Sequence, residues 1–171
     1  HHTQRMTTPS SPPPHVDHDA LYLQQALAEA QQGLEEGGIP IGAVLVLTEA
    51  DGTRRVLGRG HNRRVQRGSA ILHGETDCLE NAGRLPVSVY KKCTMYTSLS
   101  PCPMCSGAML LFGIRRVVVG ENKTFMGAED HLRAQGVEVV VKQDERCVQI
   151  MAGFIKENAE LWEEDSGQSK K

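Results

Sequence analysis

The chain has 171 residues, 39% of them apolar, enough for one domain with a real core and too few for two of ordinary size. Its 19 basic and 21 acidic residues leave a formal charge of −2, which argues against a nucleic-acid partner because phosphate contacts need a basic balance or stripe. No apolar run of about 18 residues marks a membrane partner, nothing reads as a signal peptide, and five cysteines, two of them in C-x-x-C, point to a reducing cytoplasm, with passage into the nucleus allowed by small size.

In chain order, residues 1–16 read as a tag remnant (His1 to Arg5, ahead of Met6) and a disordered Pro-rich tail too poor in apolar surface to order itself. Asp17 to Glu36 carries Leu23, Ala26, Leu27, Ala30 and Leu34 at helical spacing, with Asp17 or Asp19 as cap and Gly37-Gly38 as its stop. Ile41 to Leu47 is a β-branched strand, Glu49 to Gly52 a turn, and Arg55 to Gly58 the start of the returning strand of a hairpin. A helix from His73 to Asn81, a strand from Cys93 to Ser98 and a helix from Cys102 to Phe112, ended by Gly113, follow. Arg116 to Gly120 and Val137 to Val141 are strands separated by a helical Ala128 to Gln135. Asp144 to Glu160 reads as one closing helix with Cys147, Ile150, Met151, Phe154 and Ile155 on its apolar face, and residues 166–171 as a mobile C-terminal tail. This alternation predicts a mixed α/β sheet covered by helices on both faces. The short runs Arg54-Arg55, Arg63-Arg64 and Arg115-Arg116 are expected to be solvated loop or strand-end charges.

His73-Gly74-Glu75 and Pro101-Cys102-Pro103-Met104-Cys105 carry the chemistry. One imidazole and two thiols supply three ligands and leave open the fourth position of a tetrahedral Zn²⁺, the mark of a catalytic ion. Glu75, beside the imidazole and free of the metal, is the proton acceptor that an activated water requires. H-x-E followed by P-C-x-x-C is the known spacing of zinc deaminases. Both ligand groups open a helix, where partial positive charge and free N–H groups favour thiolate at Cys102 and Cys105. A structural zinc knuckle would need a second C-x-x-C or another His/Cys pair, and none has suitable spacing. Cys78, Cys93 and Cys147 fall within apolar patterns and are expected as small buried side chains. His61 reads as turn or wall and His131 as surface.

Beyond the two motifs, Gly37-Gly38-Ile39-Pro40-Ile41-Gly42, Gly58-Arg59-Gly60-His61-Asn62, Val119-Gly120-Glu121-Asn122 and Asp144-Glu145-Arg146-Cys147 resemble the fungal cytosine deaminases of the cytidine deaminase-like superfamily. The likeness runs from about Leu23 to Asp165. It implies a three-layer α/β/α sandwich with a central mixed five-stranded sheet, a zinc-dependent deaminase domain over residues 17–165, a homodimer, and one catalytic Zn²⁺ per subunit. The activity implied is hydrolysis of free cytosine to uracil and ammonia in pyrimidine salvage. By resemblance, Asn62 and the Gly74 N–H meet the pyrimidine carbonyl and the Ser100 carbonyl meets the amino group. Phe125, Trp162 and Asp165 close over the ring, with Asp165 taking the ring N1–H. Read from the residues alone, Asn62 could equally be a turn asparagine, Trp162 a cap on the core and Phe125 a core side chain. Other substrates within the same chemistry are guanine and the adenosine of a tRNA, and a zinc-bearing protein without catalysis is the alternative of another class.

Overall fold

A computed structural model describes residues 16–168; the readings made for residues 1–15 and 169–171 lie outside the described residues. Helix α1 (His18–Glu35) starts where the Asp17 carboxylate accepts the Ala20 N–H at 3.1 Å, satisfying one of the donors that a helix start leaves free. It buries Tyr22, Leu23, Ala26, Leu27 and Ala30, but Leu34, expected on the same stripe, is 43% exposed. Gly33 takes the inward position instead, because a Cβ there would lie 3.2 Å from the His61 ring. The close approach of helix to hairpin end therefore rotates Leu34 outward.

Strands β1 (Gly42–Thr48) and β2 (Arg54–His61) form the expected hairpin, its turn closed by the Gly52 N–H to the Glu49 carbonyl, with Gly52 at φ +86°. Two one-turn helices that periodicity could not signal come next, α2 (Arg64–Arg67) and, after helix α3 (Gly74–Ala82), α4 (Val87–Tyr90). Strand β3 (Cys93–Thr97), helix α5 (Pro103–Phe112), strand β4 (Arg116–Val119), helix α6 (Glu129–Ala134) and strand β5 (Glu138–Val141) complete the central unit. The sheet order is β2-β1-β3-β4-β5, with β1 antiparallel to both neighbours and β3, β4 and β5 parallel.

Strand β1 explains the layering. Its inner residues are all buried, as they must be in a strand covered on both faces. Ala43, Leu45 and Leu47 pack with Cys78 and Leu79 of α3 and Met109 of α5, whereas Val44 and Val46 pack with Tyr22, Leu23 and Ala26 of α1. The mixed five-stranded sheet with helices on both faces is the architecture the sequence led us to expect.

The closing helix is two helices, α7 (Glu145–Glu157) and α8 (Ala159–Ser166), not one to Glu160. Asn158 breaks it: at φ −136° its backbone N–H and its side-chain amide both donate to the Phe154 carbonyl, at 2.9 and 3.1 Å. An asparagine that offers the chain a local alternative to helical bonding is a natural stop. Ser166, assigned to the tail, is the last helical residue, and Gly167 caps it in the left-handed region.

The arginine runs are also not uniformly solvated. Arg55 is, but the Arg116 guanidinium binds Asp19 through two bonds of 2.8 and 2.7 Å, and Arg63 and Arg64 each reach a buried carboxylate.

Candidate active site and metal centre

His73 and Cys102 occupy matching places, each the extended residue immediately before the first turn of α3 or α5. Pro103 fits the first helical position, where a missing N–H costs nothing and φ is already set. One turn of α5 then brings Cys105 beside Cys102, whose sulfur accepts the Cys105 N–H at 3.5 Å. His73 Nδ1 lies 3.4 Å from Cys102 Sγ and 3.7 Å from Cys105 Sγ, and all three ligand atoms lie within 4.8 Å of one another. With Zn–S near 2.3 Å and Zn–N near 2.0–2.1 Å, a tetrahedral ion needs N···S edges of about 3.6 Å. The residues fit zinc, and they are the one such His/Cys/Asp/Glu group among the described residues.

Without a metal the two sulfurs sit in unlike surroundings. A hydrogen bond from the Cys105 thiol, with help from His73 and the helix N–H, brings Cys102 down to about 4. Cys105 is pushed well up, because it donates to Cys102 and is buried near Glu75. A metal binds these sulfurs as thiolates, so any proton they carry must leave first. Burial pulls the His73 imidazole down, but Cys102 and the carboxylates of Glu75 and Asp165 outweigh it and hold the ring above its ordinary value. Cys78, Cys93 and Cys147 are buried as expected, and burial pushes Cys93 up to about 11 and Cys147 up to about 12.

Glu75, the second residue of α3, is 3% exposed, and burial raises its carboxyl above the usual range. Thr97 Oγ1 lies 2.9 Å from Glu75 Oε1 and 3.0 Å from the Leu99 carbonyl. A hydroxyl has one proton and two lone pairs, so Thr97 can donate to an ionised Glu75 or accept from a protonated one while donating to Leu99. Both protonation states of Glu75 are therefore held in place.

Phe125, Trp162 and Asp165 meet over this cluster. Phe125 and Trp162 are T-shaped at 5.8 Å between centroids. With Ile41, Leu99, Ser100 and Ser166 they enclose a cleft of about 300 Å³, counted to its open mouth, with His73, Glu75 and Cys102 on its wall. Asp165 is buried, accepts Asn62 Nδ2 at 3.2 Å and Arg64 Nη1 at 2.6 Å, and lies 3.7 Å from His73 Nε2.

Asn62 and Gly74 do not line the cleft. Asn62 is fully buried behind Asp165, and its Oδ1 accepts the Arg64 N–H at 3.1 Å, the local bond of a turn asparagine. Gly74 sits where a Cβ would come within 2.9 Å of the Ile41 carbonyl, so its small size lets α3 approach the chain entering β1. Ser100 is buried, its hydroxyl donating to Glu129 at 2.6 Å and accepting the Gly127 N–H at 2.9 Å, which ties the metal loop to the Phe125 segment. Sequence reasoning missed Arg64, Thr97 and Glu129, which belong to no motif and find their partners 101, 22 and 29 residues away. His61, read as turn or wall, is a buried link whose ring nitrogens lie 2.7 Å from carboxylate oxygens of Glu29 and Glu36, and His131 is exposed.

Residues 16–121 match the family described as the cytidine and deoxycytidylate deaminase zinc-binding region. The chain is 56% identical over 150 residues to a cytosine deaminase of Candida albicans, covering 88% of this chain and 97% of that protein. It is 32% identical over 149 residues to a tRNA-specific adenosine deaminase of Bacillus subtilis, covering 81% and 89%. Among solved structures, a tRNA:A34 deaminase superposes with a TM-score of 0.62 at 28% identity, covering 77% of this chain and 99% of that one. A guanine deaminase from Nitrosomonas europaea superposes at 0.62 with 21% identity, covering 89% and 98%, and bears on the fold alone. A family match over more than half the chain, together with that identity along nearly all of it, means that this protein belongs to the cytidine and deoxycytidylate deaminase zinc-binding family.

Proposed function

We propose that the cleft hydrolyses free cytosine to uracil and ammonia, with His73, Cys102 and Cys105 as zinc ligands and Glu75 as the proton carrier. The observation that carries this reading is a buried carboxylate, Asp165, in the same small cleft as the buried Glu75 and the ligand cluster. Two of its acceptor sites are used by Asn62 and Arg64, and a carboxylate has about four, so it can still accept a ring N1–H. Cytosine has that N–H and cytidine does not, so Asp165 favours the free base and leaves a nucleoside with an unpaired buried charge. The identity to the Candida albicans cytosine deaminase supports the same substrate.

When bound by these three side chains, zinc supplies Lewis acidity that lowers the pKa of a water at the open position. Glu75 would take a proton from the attacking water and deliver it to ring N3 as that oxygen adds to C4. It then carries the second water proton to the amino group, and ammonia leaves. The raised carboxyl of Glu75 suits this work, since a carrier must both accept and release its proton near neutral pH. Thr97 steadies it in both states. The Ser100 carbonyl receives the amino group, while Phe125 and Trp162 cover the ring and exclude water. Asn62, set behind the cleft wall, acts in this reading by holding the Asp165 carboxylate through its amide N–H.

Two copies of the chain form the active unit in this reading. Ile71, Val87 and Leu111 are 60, 59 and 78% exposed around clefts between α3, α4 and α5, an apolar face beside the ligand-bearing helices. No helix of the described residues is long and apolar enough to cross a membrane, and the reading places the enzyme in cytoplasmic pyrimidine salvage. The test is ammonia release by the zinc-loaded protein from cytosine, cytidine, guanine and adenine. Cytosine alone should turn over, and equal rates on cytidine would overturn the free-base assignment.

A further inference from the structure

Asp77 was not singled out by any motif, yet it is 2% exposed in the middle of α3. A carboxylate so placed loses its hydration and persists only when donors surround it. Here one oxygen, Oδ2, lies 3.1 Å from the backbone N of His61, 3.0 Å from Arg63 Nε and 3.5 Å from Asn81 Nδ2. The first two donors belong to the residues on either side of Asn62. Asn62 therefore sits between two clamped neighbours, and its own backbone N–H donates to the Ile41 carbonyl at 2.9 Å. Contact between the elements is tight at this point, since a Cβ on Gly60 would fall 2.4 Å from the Cys78 nitrogen and 2.7 Å from Asp77 Oδ2. Helix α3 thus holds the metal ligand His73 at its start, Glu75 two residues further in, and through Asp77 the segment that contains Asn62.

We infer that Asp77 is a positioning residue for ring recognition: it fixes Asn62, and through Asn62 the Asp165 carboxylate, against the helix that bears His73 and Glu75. This rests on the reading of Asp165 as a ring contact that Asn62 holds in place. Asp77 touches no reacting atom, so its loss acts on how the ring is held and leaves the proton carrier alone. A merely structural Asp77–Arg63 pair would change stability without a selective effect on substrate binding.

The experiment is steady-state cytosine deamination by zinc-loaded Asp77→Ala, Asp77→Asn, Arg63→Met, Asn62→Ala and the Asp77→Ala/Asn62→Ala double variant, with zinc content and circular dichroism measured on each. Asp77→Ala should raise KM about tenfold, with kcat within about threefold and full zinc content. Asp77→Asn keeps an oxygen acceptor and should fall between it and the parent. Arg63→Met should raise KM about threefold, and it carries the test with Asp77→Asn if Asp77→Ala does not fold. In the Asn62→Ala background, Asp77→Ala should add less than about twofold, because residues acting through one another are not additive. Unchanged KM in both Asp77→Asn and Arg63→Met, or full additivity in the double variant, would overturn the inference. If Asn62→Ala itself leaves KM unchanged, the ring-contact reading fails instead.

Discussion

The floor of the cleft and its roof are built by different means. The floor is two helix starts, at His73 and Cys102, set on a sheet whose central strands are wholly buried. Its donors lie within one turn of their caps, so local backbone geometry aims them. The roof is assembled from Phe125 in a loop, Trp162 and Asp165 in the last helix, and Arg64 and Asn62 beyond the hairpin. Nothing local aims these groups; an ion pair, a few hydrogen bonds and one aromatic contact hold them. The difference teaches that the metal-ligand floor rests on short-range geometry and the proposed substrate roof on long-range polar contacts, so the two can be tested separately.

The sharpest way to test that separation is Glu75→Gln, which should lower kcat by about 10³-fold or more while zinc analysis still finds one ion per chain. Near-parent activity would remove Glu75 from the floor's chemistry. Asp165→Asn should act chiefly on the roof, with a smaller effect on His73 beside it, raising KM for cytosine about 30-fold and shrinking its preference over cytidine, read from kcat/KM for both. A loss confined to kcat would merge the two regions. Zinc affinity, followed by competition with a chromophoric chelator, should fall at least about tenfold for each pH unit lost, because His73 and Cys105 are both raised and must lose their protons before the ion binds. A flat profile would mean that all three ligands are already deprotonated.

The smallest effect is expected far from both regions. Arg116 holds Asp19 down to about 2, so the bond contributes stability that is complete above the unfolded carboxyl's value near 4 and is lost as pH falls through about 2. Arg116→Met should flatten that part of the denaturation profile and leave cytosine kinetics unchanged; a change in KM would show that α1 reaches the roof.

β1 and α5 above all were legible in advance, because an apolar β-branched run and helix caps are local properties. Leu34 was misread since only the approach of His61 decides which of two adjacent residues faces inward. The break at Asn158 escaped notice because the flanking segments share one helical pattern, and a side-chain bond to Phe154 outweighs it. Arg63 and Arg64 looked like surface charge, and from composition alone they are. Cys102 and Cys105 looked alike, yet which one keeps the proton depends on who donates to whom in the folded cluster.

By itself the sequence determined the chemistry: an imidazole, two sulfurs and a carboxylate within a residue or two of helix starts can be aimed by backbone geometry alone. The tertiary structure decided what surrounds the proposed base site. Asp165 meets Arg64 across 101 residues, and Asp77 meets Arg63 across 14. A charge removed from water needs a partner at a fixed distance, and only the packed sheet and helices determine which side chains come that close.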